Sequence, residues 1–306
     1  MKKINRNYPR KNNLLLVTVC IFSASIISFV AYSAFHRMLY TSEKFQFRNT
    51  PSHSIRFFNE ESFQSGIRKT TVGENISYRV VAGIVPHHTL AAPLLSDFFS
   101  KLAVQKPKRL LVIGPDHRET GVGHITTSEY AWNTPFGSVE PDRTILIQLK
   151  RLGILVDEVV SEYEHSIGAL TPYIAYYLPD TQLIPIIVSG RMEYEKIIRM
   201  SELMSEYIDS ETVVIASVDF SHNLHSDEAD MRDAKTGQYI REFALKKIYS
   251  LNSEYIDSPA SLIMVLSIAQ KLQAKNTEIF AHSNSGVIQN NRFLPTTSYY
   301  TIALHE

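Results

Sequence analysis

VAGIVPHHTL, residues 81–90, is the stretch that decides how this chain is read. An apolar run rich in Val and Ile stops at Pro86. His87 and His88 follow at once, and an amphipathic segment, LLSDFFSKLAVQ, begins at Leu94. A short apolar run bounded by a turn is the pattern of a strand buried on both faces, and an amphipathic segment directly behind it makes a βα unit. The pattern recurs. YRVVAGIV, RLLVIG, QLIPIIVS, TVVIAS and EIFAH read as strands, and TTSYYTIAL as a closing one. Between them lie the helical segments TILIQLKRLG, SIGALTPYIAYYL, YEKIIRMSELMSEYI, ADMRDAKTGQYIREFALKKIY and SPASLIMVLSIAQKLQ. The alternation predicts a three-layer α/β/α domain with a mostly parallel central sheet. No GxGxxG, P-loop or GxSxG occurs, so a nucleotide fold or a serine hydrolase has no local support.

The residues at the strand ends carry the functional signal. The predicted strands run into Pro86-His87-His88, into Gly114-Pro115-Asp116-His117, into Val218-Asp219-Phe220-Ser221-His222 and into His282-Ser283-Asn284-Ser285. Ligands of open α/β sheets bind beyond the carboxyl ends of the strands. Four strands sending histidine to that edge therefore point to a site. Neutral imidazole is the commonest metal ligand, and a carboxylate completes a set for Zn(II) or Fe(II). Asp116 and Asp219 read either as ligands or as partners that orient a ring through its other N–H. His165, in EYEHSIGAL, either belongs to a helix start capped by Ser166 or points into the same crevice as an acid or base. His88, next to His87, reads as a pocket wall. AWNTPFGSVEPD, with the one tryptophan, reads as a loop walling a pocket. His36, His53, His124, His225 and His305 lack a strand-end context and read as solvated or incidental.

The bulk properties narrow the class. The chain has 306 residues and a formal net charge of zero, which gives no support to a nucleic-acid partner. The single cysteine, Cys20, rules out an internal disulfide framework and a Cys-based zinc site. Residues 1–12 form a basic tail, and the uncharged run Leu14 to Phe35 is long enough to cross a bilayer. Residues 13–36 are thus expected to form a transmembrane anchor or uncleaved signal, with a cleaved signal peptide as the competing reading. The basic flank predicts a single-pass protein of the cell membrane, its N-terminus cytoplasmic and its domain extracytoplasmic. Residues 37–75 read as a linker and N-terminal arm, and 76–306 as the α/β domain.

Taken in order, GIVPHH, VIGPDH, WNTPFGSVEPD, EHSIGALTPYIAYYLPDTQLIPIIVSG and VVIASVDFSH resemble the MEMO family. Its bacterial members are often labelled AmmeMemoRadiSam system protein B. The resemblance covers about residues 78–304. It implies a fold similar to class III extradiol, or LigB-type, dioxygenases and a site for a divalent metal, with Fe(II) first and Cu or Zn as alternatives. It places metal ligands at His87 and His117. Animal members carry a third ligand, a cysteine, in a Cys-Gly-Arg-His-Pro stretch; here the matching region is YIDSPASL, with Tyr255 at the cysteine position. His282, His222 or Asp257 is left to supply the third donor, with His282 the first choice. Asp219, His165 and His222 are expected to serve catalysis. The resemblance implies redox chemistry on a small-molecule or peptide substrate, and the family label implies a link to AMMECR1-like and radical SAM proteins. A zinc-dependent hydrolase and a non-catalytic metal- or peptide-binding module are the other readings of the same site.

Overall fold

The structure, a computed structural model, describes residues 51–70 and 76–306. The expected membrane anchor and basic tail lie outside the described residues. Among the described residues no helix is long and apolar enough to cross a membrane. The chain from Thr50 to Glu306 forms one compact unit.

In chain order the strands are β1 (Ser52–His53), β2 (Val80–Val85), β3 (Arg109–Pro115), β4 (Ile125–Thr127), β5 (Ala131–Thr134), β6 (Gly137–Val139), β7 (Leu155–Val156), β8 (Gln182–Val188), β9 (Thr212–Ser217), β10 (His222–Leu224), β11 (Asn276–Asn284) and β12 (Thr296–His305). The helices are α1 (Glu60–Lys69), α2 (Ala92–Leu102), α3 (Arg143–Arg151), α4 (Glu158–Tyr163), α5 (His165–Gly168), α6 (Thr171–Tyr177), α7 (Tyr194–Ser205), α8 (Ser226–Arg241), α9 (Leu245–Tyr249), α10 (Pro259–Lys271) and α11 (Ser285–Ile288). A 3₁₀ turn, Thr89–Ala91, joins β2 to α2.

The main sheet runs β12-β2-β9-β3-β8-β4-β7, and β12 also pairs with β10 and β11. Its centre, β2-β9-β3-β8, is parallel throughout. The flanks are not: β12 is antiparallel to β2 and β11, and β4 is antiparallel to β8. The sheet is therefore mixed: besides the short parallel pair β4-β7 at one edge, its parallel part is the four central strands, whose runs are apolar except near their ends and buried almost throughout. Such runs bury both faces, and side chains alternate between two cores. Leu111, Ile113, Val214 and Ala216 face one core with α3, α7, α8 and α10. Leu110, Val112, Val213 and Ile215 face the other with α1, α2 and α6.

Several segments depart from the sequence reading. SIGALTPYIAYYL divides into α5 and α6, with Pro172 opening the second helix. ADMRDAKTGQYIREFALKKIY divides at Phe243, whose φ of +48° ends α8 while its ring packs on the core. AWNTPFGSVEPD is not a loop but a hairpin of β5 and β6, turning through Gly137 at φ +125°, a left-handed position that favours glycine. Residues 51–70 pack on the domain: Ser52 pairs with Ala131, and Phe63 of α1 is buried in the second core.

One glycine couples the sheet to the site. A Cβ on Gly114, in β3, would lie 2.5 Å from Ser166 Oγ and 2.6 Å from Ser166 Cβ. β3 thus admits α5 against its end only because position 114 has no side chain. We expect Gly114→Ala to cost about 1–3 kcal/mol through overpacking, read as a lowered Tm in thermal melts; an unchanged Tm would show that α5 can shift freely.

Candidate metal centre

The sheet order builds the centre. β9 lies between β2 and β3, so the turns after β2 and β3 bring His87 and His117 to either side of the β9 end. Their ring centroids are 5.0 Å apart. His165, from α5, lies 4.9 Å from the His87 ring and 4.1 Å from the His117 ring, stacked on the latter. One nitrogen of each of the three rings lies within 4.8 Å of the others.

Each ring has its Nδ1 turned to an acceptor. Ser217 donates its one hydroxyl hydrogen to the Ser166 carbonyl, so its Oγ accepts from His87 Nδ1 at 3.2 Å. Glu164 Oε1 accepts from His117 Nδ1 at 2.8 Å and lies 3.3 Å from His165 Nδ1. A hydrogen on Nδ1 leaves Nε2 as the free lone pair, the form in which imidazole ligates a metal. Glu164 also accepts from the His117 and Ser166 backbone N–H groups, which locks α5 to the β3 turn.

Asp257 faces these lone pairs. Its Oδ2 lies 3.2 Å from His87 Nε2 and 3.5 Å from His117 Nε2. It arrives on the loop before α10, where Ser258 caps the helix and Pro259 opens it. Two bonds tie that loop to the end of β9: Asp257 N–H donates to the Asp219 carbonyl, and Asp219 N–H to Asp257 Oδ2, both at 3.1 Å. Asp257 Oδ1 is buried and has no hydrogen-bond partner among the described residues. A carboxylate facing two imidazole lone pairs in a buried site is tolerable only with a proton or a cation between them. The donor set therefore fits a metal ion, and the unpartnered Oδ1 adds a spare ligand atom.

The electrostatics agree. Burial disfavours a charged His117, but hydrogen bonds to Asp257 and Glu164 outweigh it and push its pKa up to about 10. Burial likewise opposes protonation of His87, and Asp219 and Asp257 raise its pKa above the ordinary value. Burial would raise Glu164 and Asp257, yet the imidazoles hold both well below the usual carboxylate range.

The remaining sequence candidates divide. Asp219 stands beside the centre, its Oδ1 accepting from His87 N–H at 3.1 Å. Asp116 folds back to accept from Arg118 and Gly121 N–H groups and shapes its own loop. His222 opens β10, and its Nδ1 is buried with no hydrogen-bond partner among the described residues. His88 Nδ1 accepts from Leu90 N–H and so caps the 3₁₀ turn. Tyr255, at the cysteine position of the resemblance, points its hydroxyl to Arg232. His282 sits at the same edge of the sheet, but β12 separates β11 from β2, two strand spacings or about 10 Å. Its Nε2 meets Asp233 Oδ2 at 2.7 Å instead. Asp257, the last of the three alternatives for the third donor, is the one that faces both rings; lacking a strand-end context, it reads locally as a residue ahead of a helix cap.

His53 corrects the sequence reading most sharply, because it is buried rather than solvated. Its ring lies 3.0 Å from Glu158 and from Glu162 and 2.7 Å from Ser128 Oγ, against Trp132. This clasp holds the arm so that Phe57 packs on His165 and Phe57, Phe58 and Phe63 line a small cavity beside His87.

Fold and centre together define a three-layer α/β protein with a histidine-and-carboxylate site at the carboxyl ends of its parallel strands. Residues 57–301 match the family model described as Memo-like protein, and the chain belongs to that family. It is 27% identical over 247 residues to a MEMO1 family protein of Caldivirga maquilingensis, covering 77% of this chain and 86% of the relative. It is 30% identical over 222 residues to a MEMO1 family protein of Methanococcoides burtonii, covering 70% and 83%. Among solved structures it is similar to uncharacterized protein JW3007 from Escherichia coli K12, at 12% identity and TM-score 0.49, covering 72% of this chain and 99% of that one.

Two outcomes follow. Glu164→Gln removes the charge that orients two rings and should weaken metal binding by roughly 10–100-fold, measured by competition with a chromophoric chelator. In metal-free protein, His117 titrates near 10 when folded and near its ordinary value of about 6.5 when unfolded. A raised folded pKa gives stability that is complete below about 6.5 and lost as pH rises through about 10. The Tm of chelator-stripped protein should fall across that window, and Asp257→Asn should flatten the fall.

Proposed function

We propose that this chain is a metal-dependent redox protein in which His87, His117 and Asp257 hold Fe(II). The observation that carries the reading is Asp257 Oδ2 facing the Nε2 atoms of both histidines, with Oδ1 buried and unpartnered. Two histidines and one carboxylate with open positions are the donor set of non-haem Fe(II) oxygenases, which supports iron over the copper and zinc alternatives. When bound, the ion supplies a Lewis-acidic, redox-active centre.

The chain's own residues do the rest. Ser217 and Glu164 fix the tautomers that present Nε2. Asp219 holds the His87 backbone and the Asp257 loop together. His165 is partly exposed, its Nδ1 beside Glu164; its free Nε2 is suited to giving or taking a proton from a molecule bound next to His87. The cavity beside His87, walled by Phe57, Phe58, Phe63 and Tyr173, is about 10 Å³ and holds at most a single water, so it shields the centre on that side and does not itself take a substrate. The same proposal keeps the domain outside the cell membrane, held by the apolar run Leu14 to Phe35.

Anaerobic reconstitution of the full chain with Fe(II), followed by gel filtration and iron analysis, tests the reading. Wild type should retain about one ferrous ion that His87→Ala/His117→Ala loses, and Asp257→Asn should bind at least about tenfold more weakly. Equal trace iron in all three would sink the redox reading, and selective retention of zinc by the same residues would redirect it to hydrolysis.

A further inference from the structure

Residues 51–60 cross the domain surface with one buried residue among them, His53. Little else holds the stretch. β1 is two residues long and pairs with β5. Ile55, Phe57 and Phe58 are only half-buried. His53 therefore carries the attachment, and it does so through polar contacts. Glu158 and Glu162 stand four residues apart on α4 and share a face. The His53 ring lies 3.0 Å from each, with Ser128 Oγ 2.7 Å from its Nε2. Glu162 also accepts from Ser54 N–H at 3.1 Å and from Arg56 Nε at 2.6 Å. A segment with few buried apolar side chains belongs to the part of a fold that opens at the lowest free-energy cost.

The far end of the stretch covers the centre. Phe57 packs on His165 at 5.8 Å between ring centroids, and it sits so close to α5 that a Cβ on Gly168 would come within 2.9 Å of its ring. Phe57, Phe58, Asn59, Ser62 and Phe63 form the arm's share of the walls around the cavity beside His87. His87 itself is 2% exposed. Past Asn59 the attachment changes character. Asn59 Oδ1 caps α1 by accepting from Ser62 N–H at 2.8 Å, and Phe63 is buried in the second core. The boundary between a loosely held stretch and a firmly held helix falls at Asn59.

Resting on the metal-centre reading above, we infer that residues 51–58 are a strap that swings about Asn59, latched by the His53 clasp, and that its opening admits substrate to the His87 side of the centre. Closed, the cavity there is about 10 Å³ and holds at most one water. Lifting Phe57 and Phe58 takes away two of its walls and leaves a cleft open to solvent beside His87 and His165. Phe63 stays in the core and keeps α1 in place. Closing again restores the aromatic wall and excludes water from the bound molecule, which is the common use of such lids.

The metal-free full chain carries its own reporter: its one tryptophan, Trp132, lies 4.5 Å from the His53 ring and is 2% exposed. Glu162→Ala should release the strap, so that acrylamide quenching of Trp132 rises at least about threefold and modification of His87 by diethyl pyrocarbonate, read by peptide mass spectrometry, speeds up at least about tenfold. Phe57→Ala should open His87 to the same reagent while Trp132 stays shielded, because the latch is intact. In hydrogen exchange, wild-type amides of 51–58 should exchange at least about tenfold faster than those of α1, and α1 should stay protected in Glu162→Ala. Strap amides as slow as α1, a Trp132 unmoved by Glu162→Ala, a His87 that stays unreactive once Trp132 is exposed, or an α1 that opens with the strap each overturns the proposal. None of these readouts needs metal, so a strap that moves as expected in a chain that fails to retain Fe(II) counts against the metal-centre reading alone.

Discussion

A buried carboxylate facing two imidazole lone pairs is the constraint on which this structure turns. Asp257 holds one oxygen between His87 Nε2 and His117 Nε2, and Ser217 and Glu164 occupy the opposite nitrogens. With the ring hydrogens committed at Nδ1, negative charge and lone pairs point at one space. A proton fills it in the metal-free chain, which is why both imidazoles are more basic than usual. A metal ion competes for the same place, so binding displaces protons and couples the metal to pH and to folding.

The scaffold serves that arrangement. Parallel β2, β9 and β3 set the two histidines across one strand, and the end of β9 with the turn after it supplies Ser217 and Asp219 between them. Asp257 reaches the centre because its loop is bonded to the end of β9 and fixed behind by the cap of α10. Gly114 lets α5 approach β3, which brings Glu164 and His165 to the ring edges. On the far side, the His53 clasp holds the arm, and through Phe57 and Phe58 the arm closes the cavity beside His87. Each support lies one contact behind a group that faces the open space.

Much of this was legible residue by residue. The central strands appear as apolar runs because both their faces are buried, and His87, His117 and Asp219 appear because they follow those runs. The hairpin Ala131 to Val139 was harder, since its strands are only three or four residues long and too short to show a hydrophobic period. His53 was illegible: its partners Ser128, Glu158 and Glu162 lie 75 to 109 residues away and have no common local pattern. His282 misled for a related reason. It does end a strand at the right edge, but strand-end position says nothing of how many strands intervene.

By itself the sequence determined the α/β class, the strand ends that carry histidine and the lack of a cysteine near them, because apolar periodicity and residue chemistry are local properties. Only the tertiary structure decided which donors meet. The order β2-β9-β3 brought His87 and His117 together, and β12 moved His282 away to Asp233. The loop before α10 delivered Asp257 rather than Tyr255 to the rings. These choices depend on sheet order and on backbone bonds between segments tens of residues apart, and no window of sequence contains them.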